Sequence, residues 1–174
     1  MARKESTDAI ASLKADHRKV EDLFTRYEKA RKGEKKQEIV QEICRELSIH
    51  ATIEEEIFYP ACAGFVEEHL LDEAYVEHDG AKTLIAELMS AAEDEFRDAK
   101  VAVLREMIKH HVKEEEQRDG IFAQARKADL ELVEPGERMQ SRRKELEGEF
   151  EAEIPLPTTR SMVGEAPLRG TIGE

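Results

Sequence analysis

Four histidines, His17, His50, His78 and His111, each fall inside an apolar stripe of helical period, one per predicted helix. Two of them begin a His-x-x-x-Glu unit, His50 to Glu54 and His111 to Glu115. At about 100° per residue, His50 and Glu54 lie close to Leu47 on the wheel. His111 and Glu115 lie at the same two angles relative to Ile108. An unsatisfied buried polar group costs roughly 1–3 kcal/mol, and a buried carboxylate more. No lysine or arginine is read into the stripes beside these groups. Imidazole and carboxylate gathered without a basic partner call for a bound cation. Two metal ions bridged by two carboxylates and each capped by two imidazoles would use all six side chains.

Mixed nitrogen and oxygen donors suit iron best, with an Fe/Mn or Mn pair as the alternative. Six ligands leave coordination positions open on two octahedral ions. Those positions admit a small ligand such as O₂, peroxide or NO. A shifted register, His110 with Glu114, is the rival to His111 with Glu115 but falls outside the apolar arc. His69 reads as a surface residue. Glu55, Glu56, Glu114 and Glu116 read as solvated charges, with Glu55 also able to support a ligand. Tyr75, one turn before His78, reads as core filler or a donor to bound oxygen.

Four amphipathic segments must position these groups: about Ser6–Arg31 (Ser6 or Thr7 as N-cap), Glu34–Ala61, Glu67–Phe96, and a fourth from Asp98, its expected N-cap. Gly33, and Pro60 with Gly64, mark the breaks. Helices of this length joined by short turns pack as an all-α, antiparallel, up-down-up-down four-helix bundle over residues 1–130. Residues 131–174 form an appendage: a short charged helix with a thin stripe (Met139, Leu146, Phe150), then a Pro- and Gly-bearing flexible tail from Ile154.

Composition agrees. Of 174 residues, 39% are charged, 5% are aromatic and none is tryptophan, which suits a helical bundle. A net charge of −13 argues against nucleic acid or an anionic membrane as partner. No apolar run is long enough to span a bilayer. The N-terminus lacks the apolar stretch of a secretion signal, and Cys44 and Cys62 match no CxxC pattern. The expectation is a cytoplasmic protein with reduced thiols.

The order His … His-x-x-x-Glu … His … His-x-x-x-Glu resembles the hemerythrin-like (HHE cation-binding) domain over about residues 6–130. The segments concerned are Lys14–Arg18, His50–Pro60, Glu77–Asp79 and His110–Glu116. The resemblance implies that His17 and His50 serve one iron, His78 and His111 the other, and that Glu54 and Glu115 bridge. Oxygen-carrying hemerythrins have a further histidine where this chain has Lys82, and their acidic ligand on helix four follows its histidine by five residues rather than four. Fewer histidines make a more open site. Peroxide chemistry and O₂ or NO sensing thereby stand beside carriage, with a catalase-like or other oxidative enzyme as the alternative. A ferritin-type ferroxidase is disfavoured, because none of the six histidines has Glu three residues before it. A bundle serving only protein interaction would hold no stoichiometric metal.

Overall fold

The computed structural model describes residues 8–31, 33–90, 95–152 and 158–161. No strand forms among them. Helix α1 spans Ala9–Lys29 and α2 Glu34–Ile53. A π-helical turn, Glu54–Phe58, follows directly and leads into the short α3, Tyr59–Cys62. Then come α4 (Glu68–Ser90), α5 (Arg97–Glu116), α6 (Ile121–Lys127) and α7 (Val133–Ala152).

Cross-helix pairs run in opposite chain order. Between α1 and α2, His17 meets His50, Lys19 meets Glu46 and Arg26 meets Glu42. Between α4 and α5, Glu77 meets His111 and Glu87 meets Lys100. Between α1 and α5, Glu28 meets Arg105 while His17 meets Glu116. Neighbouring helices are therefore antiparallel, as the short connections require.

Local chemistry differs from the sequence expectation in several places. The N-cap of α1 is Asp8, whose carboxylate accepts from the Ala11 amide at 2.8 Å; Ser6 and Thr7 lie outside the described residues. Asp98 does not cap α5. Its carboxylate instead accepts from Tyr27 and Lys36, tying the start of α5 to α1 and α2, and Phe96 stands at the cap. Gly33 separates α1 from α2 at φ 128°, a conformation that side chains with a Cβ rarely adopt. The second helix, expected to be continuous, is interrupted by the π-turn at Glu54. Such insertions concentrate at functional sites because they re-aim side chains within one turn.

The buried apolar residues fall into two clusters. One contains Ile10, Leu13, Ile53, Phe58 and Phe122. The other contains Val20, Phe24, Leu47, Ile85 and Leu104. On α1, α2 and α4 the histidine sits between residues of the two clusters, and on α5 His111 follows the residues of the second cluster, so the polar layer lies between the two. The charged C-terminal helix is longer than expected, and its stripe joins the first cluster through Met139, Leu146 and Phe150, all buried. Of the tail from Ile154, only Thr158–Ser161 is described. Among the described residues, no helix is long and apolar enough to cross a membrane.

Candidate metal centre

All six side chains singled out by their spacing meet in one buried layer: His17, His50, Glu54, His78, His111 and Glu115. The imidazoles face each other in pairs. His17 Nε2 is 3.2 Å from His50 Nε2, and His78 Nε2 is 3.2 Å from His111 Nε2. Glu54 Oε2 stands 3.2 Å from both His50 Nε2 and His78 Nε2. Glu115 Oε2 stands 3.3 Å from His17 Nε2 and 3.6 Å from His111 Nε2. Each carboxylate thus spans the two imidazole pairs.

The outer nitrogens are each held by a carboxylate. His17 Nδ1 pairs with Glu116 at 2.7 Å, His50 with Asp16 at 3.4 Å, His78 with Glu55 at 3.0 Å and His111 with Glu77 at 2.8 Å. Such partners fix the tautomer with the proton outward, turning the Nε2 lone pair to the interior. Three of these carboxylates have their own cation, Arg18 for Glu116, Arg143 for Asp16 and Lys82 for Glu55, and Glu77 has the imidazole of His110 at 3.3 Å.

Two expectations are corrected here. Glu116 is not a solvated charge but the partner of His17. A lysine does lie among the buried residues, since Lys82 is only 6% exposed. Its ammonium reaches Glu55 at 2.6 Å and Asp79 at 3.5 Å. It therefore neutralises Glu55 and Asp79 and leaves the inner pair, Glu54 and Glu115, without a lysine or arginine partner. His110 is exposed, as is His69, and the His111/Glu115 register is the one that faces inward.

The residues fit a cation on two grounds. Glu54 Oε1 and Glu115 Oε2 are buried and accept no hydrogen bond, a costly condition that a cation removes. Metal–imidazole bonds of ~2.0–2.1 Å place nitrogens bound at right angles about 3 Å apart, matching both Nε2 pairs. One donor atom from each of His17, His50, Glu54 and Glu115 lies within 4.8 Å of the others, and so for Glu54, His78 and His111. With only protein groups present, the cluster draws in protons instead. Burial opposes a charge on His50, but Glu54 and Asp16 outweigh it and push its pKa up to about 10. His78 rises to about 9, against burial, through Glu54 and Glu55. Burial would raise the Glu54 carboxyl, yet His50 and His78 hold it well below the usual carboxylate range.

Tyr59 was not singled out by spacing. The π-turn carries it into the layer, where its hydroxyl donates to Glu115 Oε1 at 2.9 Å and lies 3.3 Å from Glu54 Oε2. Burial, reinforced by Glu115 and Glu54, keeps this phenol protonated far above its ordinary range. Tyr75 lies further out, half-buried, with its ring 5.3 Å from that of Tyr59. Of the outer carboxylates, Glu55 was read as able to support a ligand, while Asp16, Glu77 and Glu116 were missed, though a signal was available. His17/His78, His50/His111 and Glu54/Glu115 are each 61 residues apart, and so are Asp16/Glu77 and Glu55/Glu116.

Residues 8–120 match the hemerythrin HHE cation binding domain. A DNA nickase from Nostoc sp. (strain PCC 7120 / SAG 25.82 / UTEX 2576) is 34% identical over 106 residues, 60% of this chain but 30% of that protein. The chain thus spans less than a third of that relative's length. The crystal structure of a hemerythrin HHE cation binding domain-containing protein from Mycobacterium kansasii superposes with a TM-score of 0.71 at 25% identity, covering 85% of this chain and 94% of that one. With the family match extending over well more than half its length, the chain belongs to the hemerythrin HHE cation-binding family.

Proposed function

We propose that the protein binds two iron ions in this layer and takes up O₂, peroxide or NO beside them. His17 and His50 hold one ion, His78 and His111 the other, and Glu54 and Glu115 bridge. The observation that carries this reading is the placement of one oxygen of each inner carboxylate between the two imidazole pairs. Imidazole with carboxylate suits iron, and an Fe/Mn or Mn pair would use the same donors.

The size of the free space supports a small ligand. A cavity lined by all four imidazoles and by Val20, Leu47, Ile85 and Ile108 leaves about 20 Å³ for the centre of a water-sized molecule. That is room for about one water-sized molecule, a scale that suits a diatomic molecule or peroxide. A bound metal pair would supply open coordination positions and redox electrons. The chain's own residues orient the donors, exclude bulk water with apolar walls, and hold a proton on the Tyr59 oxygen beside Glu115.

That proton favours a second reading, an enzyme that consumes peroxide, because peroxide breakdown requires proton transfer in a dry site. Cys44 and Cys62 are buried and unpaired with each other, and burial pushes both thiols up to about 12. Reduced thiols accord with a cytoplasmic location. Elemental analysis with a visible spectrum, before and after azide, tests the metal. Two irons per chain and an azide-dependent band are expected; absence of stoichiometric metal would refute the assignment. Steady-state O₂ evolution from peroxide, with Glu54→Ala as control, separates enzyme from carrier or sensor.

A further inference from the structure

We infer that Arg143, on α7 and beyond the residues carrying the family match, is a positioning residue for the metal centre that acts through Asp16 on His50. This inference rests on the metal-binding reading above. The guanidinium contacts Asp16 Oδ2 through Nη2 and Glu46 Oε2 through Nη1, the latter at 3.4 Å. Asp16 Oδ2 is the same oxygen that faces His50 Nδ1 at 3.4 Å.

Three points set this pair apart. Of the four outer hydrogen bonds, the one to His50 is the longest, so its carboxylate has the most freedom to turn away. Arg18, Lys82 and His110 are supplied by α1, α4 and α5, whereas Arg143 comes from outside the four-helix bundle. Finally, α7 does not need Arg143 in order to dock. Met139, Leu146 and Phe150 bury its apolar face, and Arg142 anchors it on Glu56. Glu46, only 2% exposed, is also neutralised by Lys19 at 2.8 Å.

What remains for Arg143 is orientation. A planar guanidinium can hold two carboxylates in fixed relative positions, which an ammonium cannot. Asp16 is thereby kept on His50 rather than turning to solvent. His50 keeps its Nδ1 proton outward and its Nε2 toward the layer. Losing this hold frees one of the two imidazoles on the His17/His50 side.

The test compares Arg143→Gln, Asp16→Ala, their double variant, Arg143→Lys and Leu146→Ala in the full iron-loaded chain. Transfer of iron to a chelator is timed below the melting temperature of every variant. Arg143→Gln should release iron about 10-fold faster, the low end for a residue that orients a ligand. Asp16→Ala should do at least as much, and the double variant no more than Asp16→Ala. Arg143→Lys should restore part of the difference. Leu146→Ala should lower Tm without speeding release. Wild-type release from Arg143→Gln, multiplying effects in the double variant, or equal acceleration by Leu146→Ala would each overturn the inference.

A wild-type protein without stoichiometric metal would instead sink the metal reading. Imidazole ¹⁵N spectra of the metal-free chain then decide alone: in Arg143→Gln the His50 signals should move while those of His78 stay, and an unmoved His50 ends the proposal.

Discussion

The His17–His50–Glu54 half of the site and the His78–His111–Glu115 half share one spacing and are finished differently. In each half the two histidines are 33 residues apart, each histidine receives an outer carboxylate, and each inner glutamate follows its histidine by four. Beyond Glu54, however, the chain inserts a π-turn and delivers Tyr59. Beyond Glu115, α5 ends at Glu116 and the chain turns through Gly120. The position equivalent to Tyr59 is that glycine. A Cβ there would lie 2.2 Å from the Glu114 carbonyl oxygen. The tight turn instead brings α6 back so that Phe122 stacks on His17 at 5.8 Å. The repeated spacing therefore sets the donor set, while the unrepeated flanks set what surrounds it: a phenol on one side, an aromatic lid on the other.

The comparison can be broken at several points. The largest effect is expected where the halves are equivalent. Glu54→Ala and Glu115→Ala should each weaken metal binding by more than about 100-fold, since even residues that only orient a ligand cost 10–100-fold. Metal-to-protein ratios after dialysis measure this, and one variant retaining full loading would show that the two carboxylates are not equivalent. The accompanying loss of ligand stabilisation, about 3 kcal/mol at metal 100-fold above Kd, should lower Tm by roughly 5–10 °C.

Next come the cations of the outer carboxylates, where the halves differ in burial. Lys82→Met leaves Glu55 and Asp79 buried without their ammonium and should cost about 3–5 kcal/mol in urea unfolding. Arg18→Met, at the matching but exposed corner, should cost under ~1 kcal/mol. Equal losses would deny that burial separates the two corners. Gly120→Ala should cost about 1–3 kcal/mol through forced displacement of the turn. Gly148→Ala, on α7 where a Cβ meets nothing within 4 Å, should be neutral or stabilising by under ~1 kcal/mol. Tyr59→Phe should cost about 1 kcal/mol of stability. Its informative readout is the turnover of peroxide, which should fall if the phenol supplies the proton.

The six inward side chains were legible in the sequence because helical periodicity places residues four apart on one face, and an ionisable group on an apolar face demands a partner. The charged stripe of α7 was legible for the same reason, though its extent and its burial against the bundle were not. Neither periodicity nor spacing revealed the π-turn, because a single inserted residue barely disturbs a hydrophobic pattern while rotating everything after it. Tyr59 reaches the site only through that rotation.

The outer carboxylates show the other limit. Glu116 reads as a solvated charge, and neither it nor Asp16 lies in the apolar stripe of its own helix. Neighbouring helices cover them and bring up histidines 34 and 99 residues away. Sequence alone determined which groups could share a cation, since that depends on residue type and local period. Tertiary structure decided which charge neutralises which, including Lys82 on Glu55 and Arg143 on Asp16, because Coulombic pairing depends on distances between elements that no local pattern encodes.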